Sequence, residues 1–272
     1  MGRVTTRRPV LRLNGAQAVR RPDTLAVEEP LEIRVNGTEV SVTMRTPGDD
    51  FDLAAGLLVT EGVVRQVGEI ATMRFCADTE TLNVVEVLTR TDSGAPAALP
   101  TTLARSLPSS SACGVCGKTS IDNVRVKSSY DVAADPMVVP PGVLLTLPDI
   151  LRSAQTAFDR TGGLHAAGLF TADGRLLCLR EDVGRHNAVD KVLGWAYREA
   201  QLPLHGHVLM VSGRASFELT QKALMAGLPM LAAVSAPSSL AVDLAADAGL
   251  TLIGFLRTAS MNVYTATHRV QP

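Results

Sequence analysis

His207-Val-Leu-Met-Val211, then Ser212-Gly-Arg-Ala215, then a helical run from Ser216 to Ala226: this stretch, with its near-repeat downstream, decides the fold. Five residues at 207–211 read as a strand, and a loop of small residues hands the chain to a helix. The pattern returns at once. A strand at 230–234 leads into Ser235-Ala-Pro-Ser-Ser239, a helix over 240–248 and a strand over 250–256. Strand, helix, strand, helix, strand with short connections predicts right-handed crossovers and a parallel sheet covered on both faces.

The chain upstream extends the same unit. A helix from Arg185 to Ala200 carries apolar residues at 189, 192, 193, 196 and 200, the helical period. Strands Leu164–Phe170 and Arg175–Arg180 form a hairpin around Asp173-Gly174. A helix from about Leu147 to Phe158 puts Leu147, Leu151, Ala154 and Phe158 on one face and ends at Gly162-Gly163. Pro136 and Pro140-Pro141 mark the boundary of a smaller region. Within it, Ile33, Val35, Val40, Val42 and Met44 alternate around Asn36-Gly37, a hairpin signature. Asp50 caps a short helix through Leu58 that stops near Gly62, and strands follow at 72–76 and 82–88. The expected organisation is a basic, flexible arm over 1–29, a small α+β domain over 30–140, and an α/β/α domain over 141–272 with a mixed, mainly parallel sheet.

Composition sets the outer limits. The 272 residues are 46% hydrophobic and 19% charged, which excludes a disordered or fibrous chain. A net charge of −1 excludes a polycation built for nucleic acid, although residues 1–21 hold six arginines and no acid. Four cysteines are too few for a disulfide framework. The N-terminus has no continuous apolar core of a secretion signal, and the uncharged run Ala223–Val242 is broken by Gly227, Pro229 and Pro237. The expectation is a cytoplasmic protein, off the membrane, with reduced thiols.

Three places carry chemistry. Cys113-Gly-Val-Cys116, after a serine-rich stretch from Pro108, reads as an exposed loop in which two neighbouring thiols favour a thiolate. Structural zinc would need four ligands, and Cys76 and Cys178 stand alone in strands. A zinc deaminase would need His-x-Glu, which none of the five histidines begins. No metal site is expected. The loops Ser212–Ala215 and Ser235–Ser239 present helix N-termini at the carboxyl side of the sheet, beside Arg214 and Arg257. Each loop alone reads as plain capping by Ser216 or Ser238; together with two arginines they point to a phosphate-bearing, nucleotide-like ligand. Arg185 and His186 begin a helix after the acidic Glu181-Asp182, where an acidic helix start is the ordinary explanation. His165, Cys76 and Cys178 read as core.

The ordered motifs Thr46-Pro-Gly-Asp-Asp50, Cys113-Gly-Val-Cys-Gly-Lys118, Gly162-Gly-Leu-His-Ala-Ala167, Glu181-Asp-Val-Gly-Arg-His-Asn-Ala-Val-Asp-Lys191, Ser212-Gly-Arg-Ala-Ser-Phe-Glu218 and Ser235-Ala-Pro-Ser-Ser-Leu-Ala-Val242 resemble those of the FdhD formate dehydrogenase accessory sulfurtransferases. The resemblance runs from about residue 30 to residue 265. It implies a cytidine-deaminase-like α/β/α domain without zinc chemistry. It also implies a sulfurtransferase that takes persulfide sulfur from a cysteine desulfurase and delivers it to the bis(molybdopterin guanine dinucleotide) molybdenum cofactor before insertion into formate dehydrogenase. Cys113 then forms the persulfide and Cys116 is its partner. The cofactor falls on Phe255, Leu256, Arg257, Thr258, Ala259 and Ser260, with Ser212, Gly213, Arg214, Ser238, Arg185 and His186 on the same edge. The partners implied are the desulfurase and formate dehydrogenase, with a homodimer left open. A non-catalytic chaperone for the same cofactor is the alternative. Phe51 stands where many relatives carry an acid, and Thr258-Ala259-Ser260 departs from their Pro-Gly ending.

Overall fold

The computed structural model describes residues 4–76, 81–90 and 128–271. The stretch around 207–256 folds as its pattern demands. Strands β9 (His207–Val211), β10 (Met230–Ala233) and β11 (Thr251–Arg257) run parallel, joined by helices α5 (Phe217–Met225) and α6 (Ser239–Ala248). They form the centre of a six-stranded sheet completed by β7 (His165–Thr171), β8 (Leu176–Asp182) and β12 (Ser260–Val263), in the order β12-β11-β10-β9-β7-β8. The flanking pairings β7–β8, β7–β9 and β11–β12 are antiparallel, so parallel pairing is confined to the three central strands. The sheet is mixed, and less parallel than the sequence suggested. Strand β12 was not foreseen at all.

Alternate residues of the central strands feed two cores. Leu209, Val211, Leu231, Ala233 and Leu252 face the apolar cluster shared with α5, α6 and α4 (Arg185–Arg198). Their neighbours Val208, Met210, Met230, Ala232 and Ile253 face the cluster shared with α2 (Pro141–Ala154). Burial on both faces is why these strands read as continuous apolar runs rather than alternating ones.

The helix expected over 147–158 begins earlier and breaks. Pro141, placed in the sequence reading at a boundary, is the first residue of α2, where its missing N–H costs nothing. Gln155, at φ −78° and ψ 74°, ends α2, and α3 (Thr156–Thr161) follows.

In the N-terminal region β3 (Glu29–Val35) and β4 (Thr38–Arg45) form the expected hairpin, with Asn36 and Gly37 both at positive φ. With β5 (Ile70–Phe75) and β6 (Val84–Thr89) they make a sheet of order β4-β3-β6-β5, packed against α1 (Asp50–Thr60). Residues expected as an arm without periodicity are instead a two-stranded ribbon, β1 (Thr5–Asn14) with β2 (Gln17–Ala26).

Helices α1 and α4 cross at backbone contact. A Cβ on Gly56 would stand 1.8 Å from the Asp190 carbonyl oxygen, and one on Gly194 1.8 Å from that of Asp52. Only glycine fits at either position.

Candidate functional site

Strand polarity assembles the site. β9, β10 and β11 end at one edge of the six-stranded sheet; β7, antiparallel to β9, starts there at His165, paired with Asp182 at the end of β8. A cleft of about 710 Å³ opens at this edge, within the roughly 300–1,000 Å³ of small-molecule pockets. The strand ends contribute His165, Val183, Ser212, Val234, Leu256, Arg257 and Thr258 to its lining, and the α2–α3 side contributes Asp149, Leu151, Arg152, Gln155 and Phe158.

Of the residues singled out from sequence, Ser212, Leu256, Arg257 and Thr258 line this cleft. Phe255, Ala259, Ser260, Gly213, Arg214, Ser238, Arg185 and His186 lie at the same edge outside that lining. The loop amides are largely engaged with one another. Ser235 donates its N–H to Gly213 O at 3.2 Å, Ser238 to Ala215 O at 3.0 Å, and Phe255 to Ser235 O at 3.2 Å. Ser238 is a plain cap, its Oγ accepting from Ala241 N at 3.3 Å. The ladder between β11 and β12 slips between Gly254 and Arg257, and Phe255 takes φ 51°. This bulge sends Leu256 into the core while Phe255 and Arg257 stay exposed.

The start of α4 is built for assembly. Asp182, wholly buried, receives the Thr46 N–H at 3.1 Å, the Gly184 N–H at 2.8 Å and Lys191 Nζ at 2.7 Å. Lys191 also donates to Thr46 O at 2.8 Å, and Asn187 Nδ2 to Met44 O at 2.8 Å. The acidic motif at 181–191 therefore grips the Thr46–Asp50 motif of the smaller sheet. Glu181 faces the other way and caps α3, accepting from Ala157 N at 2.9 Å and Phe158 N at 2.7 Å.

His186 is buried, with Nε2 3.8 Å from Glu218 Oε2. Hydrogen bonding from the His186 side chain is the largest influence holding the Glu218 carboxyl down to about 2. His165 is half-buried, and desolvation, with Arg185 and His186 nearby, lowers its pKa and keeps the imidazole neutral at pH 7.

Cys113 and Cys116 lie outside the described residues. The other two cysteines sit where strands hold them. Cys178 is buried in β8 and its thiol is pushed up to about 12 by desolvation, so it is no nucleophile. Cys76 follows β5 and is half-buried.

Sequence reasoning missed the α2–α3 side of the cleft. Asp149, Arg152 and Gln155 fall within the helix expected over 147–158 without being singled out, and His165 reads as core. The break at Gln155 carried no glycine or proline to announce it. Only Gly162-Gly163, ahead of β7, signalled a turn beside the site.

Among the described residues no helix is long and apolar enough to cross a membrane. Residues 26–271 match the model of the FdhD/NarQ family. A relative from Streptomyces avermitilis, named sulfur carrier protein FdhD, is 58% identical over 99% of this chain and 97% of its own length. A Mycobacterium tuberculosis protein of the same name is 53% identical over 99% of this chain and the whole of its own. In fold, the chain is similar to the crystal structure of a proposed formate dehydrogenase accessory protein from Desulfotalea psychrophila, with TM-score 0.77 and 22% identity over 99% of this chain and all of that one. Matched by the family model over residues 26–271 and sharing more than half of its residues with these relatives, the chain belongs to the FdhD/NarQ family.

Proposed function

We propose that this chain is a sulfur carrier serving formate dehydrogenase. Cys113 accepts sulfur from a cysteine desulfurase and passes it to the bis(molybdopterin guanine dinucleotide) molybdenum cofactor, one nucleotide end of which sits in the cleft at the sheet edge. The observation that carries the first half is the 53–58% identity, along 99% of the chain, to relatives named sulfur carriers. The second half is supported by the cleft itself, where Arg257 supplies fixed positive charge, Arg152 stands paired with Asp159 at 2.6 Å, and Ser212 and Thr258 supply hydroxyls.

Cys113 thiolate attacks the outer sulfur of the donor's persulfide. The donor's S–S bond breaks, its cysteine leaves as thiolate, and a persulfide forms on Cys113 without net oxidation. Cys116 is the internal nucleophile. Its attack on the inner sulfur releases hydrosulfide and leaves a Cys113–Cys116 disulfide, so it either completes delivery or limits the persulfide's lifetime. Cys178, held as a buried thiol, does not compete. A reducing cytoplasm is the compartment that keeps such a pair available.

Mass spectrometry after incubation with a cysteine desulfurase and cysteine, without reductant, tests the reading. The wild type should gain the mass of one sulfur atom, Cys113→Ala should not, and Cys116→Ala should hold the added sulfur longer. A wild type that gains nothing is better read as a non-catalytic cofactor chaperone. Full labelling of Cys116 in Cys113→Ala protein that still activates formate dehydrogenase would displace Cys113 as acceptor.

A further inference from the structure

We propose that the β1–β2 ribbon is an arm that docks on a second copy of this chain, its tip leucines entering an aromatic, acid-lined cleft at the base of that copy's ribbon. The inference stands apart from the sulfur-carrier reading, and the match to the family model begins at residue 26, where the ribbon ends.

The ribbon is built to use its faces rather than its edges. Among the described residues neither strand pairs with a third. Pro9 stands opposite Pro22. Neither ring can donate across the ladder, so this pair takes a non-bonded position, and each outer edge lacks a donor at its middle. That gap blunts strand addition. Residues opposite one another share a face, so Pro9, Pro22, Leu11 and Leu13 form an apolar stripe flanked by Arg7 and Arg20, all exposed.

Charge selects the occupant. Residues 1–26 hold six arginines against one acid, Asp23, a formal charge of +5. The other 246 residues hold 20 cations against 26 acids, a charge of −6. One copy's arm therefore complements another copy's body. A nucleic acid would call for aromatic side chains among the arginines, and residues 1–26 have none.

The body offers a seat to match. A cleft of about 570 Å³, separate from the one at the sheet edge, is lined by Phe51 and Phe75, ring centroids 4.9 Å apart, and by Leu82. Glu29 and Asp49 add half-exposed carboxylates, held loosely at 3.4 Å from Arg45 and 3.5 Å from Arg180. The cations of the lining are already spent, Arg45 on Asp50 at 2.8 Å and Arg198 on Asp52.

Reach excludes the chain's own arm. The cleft lies at the base of the ribbon, since Glu29 lines it and β2 ends at Ala26. Ten-residue strands carry the tip, at Gly15 and Ala16, about 30 Å away from that base. A two-fold axis between two copies, with their ribbons antiparallel, brings each tip to the base of the other.

Sedimentation and photocrosslinking test the exchange together. The wild type should sediment as a dimer that weakens as salt rises. The double variant Leu11→Glu, Leu13→Glu and, separately, Leu82→Glu should each weaken self-association about a hundredfold, with circular dichroism unchanged. An equimolar mixture of the two should form a one-to-one dimer again, because one intact tip still meets one intact cleft. With p-benzoylphenylalanine in place of Leu13, in a mixture of isotope-labelled and unlabelled chains, crosslinks should join the two labels and fall at or next to Phe51, Phe75 or Leu82. A monomeric wild type overturns the proposal, as does a dimer that neither variant disturbs, which another surface must hold. Variants that fail to recombine, or crosslinks confined to one copy or landing elsewhere, remove the cleft as the seat of the arm.

Discussion

Asp182 and Lys191 show what a single buried pair can decide. Both are at most 1% exposed and 2.7 Å apart; Asp182 also accepts from the Thr46 and Gly184 N–H groups and Asn187 Nδ2, and Lys191 also donates to Thr46 O. A carboxylate with three such partners is fully compensated; remove the ammonium and it is left charged in a dry place. Lys191→Met should therefore destabilise the protein by about 3–5 kcal/mol, read as a lower denaturation midpoint at unchanged slope. A loss under about 1 kcal/mol would assign the pair no structural weight. In the sequence these residues belong to a dense polar motif whose ordinary explanation is an acidic helix start. Nothing in the spacing of 182, 187 and 191 says that Thr46 will be the partner, because that contact spans more than a hundred residues. Arg257 is the opposite case: its place at the end of a parallel strand was legible from the strand–helix alternation alone.

Elements were legible in proportion to how much core they bury. β9, β10 and β11 are apolar on both faces and fall within a residue or two of their expected limits. The β1–β2 ribbon adds no residue to a core: Leu11, Leu13 and Val19 are 59%, 67% and 57% exposed, and no inside–outside alternation of apolar residues appears in its sequence. Its one local signal was Gly15, at φ 60° in a two-residue loop. The α1–α4 crossing was equally hidden, since a helical glycine looks like a weak position rather than a contact. Gly194→Ala would drive a methyl group into the Asp52 carbonyl, 1.8 Å away, and neither backbone can yield without parting the helices. The expected cost is about 3 kcal/mol or more, measurable by thermal or urea unfolding. A variant as stable as the wild type would mean that the crossing can slide.

At the scale of the whole molecule, two sheets share one pair of helices. α1 belongs to the core of the four-stranded sheet and α4 to that of the six-stranded one. Between them run the glycine contact, the Asp182 grip on Thr46, and Lys222 Nζ joined to Asp190 at 2.8 Å and to Thr60 Oγ1 at 2.9 Å. Sequence reading drew a boundary near Pro140 because proline and polar residues cluster there. Contacts between the two halves come from positions remote in the chain, and composition carries no trace of them.

The mutual glycine seat has a further consequence for how this chain can be handled. A surface in which each backbone fills the hollow left by the other works as a lock between two pieces, whatever covalent thread joins them. Residues 1–90 and 128–272, produced as separate polypeptides in one cell, should find each other and co-purify as a one-to-one complementing pair through a tag on either piece. The same pair carrying Gly56→Ala should fall apart on the column. Pieces that never associate would show that the intervening chain, and not the crossing, is what holds the halves together.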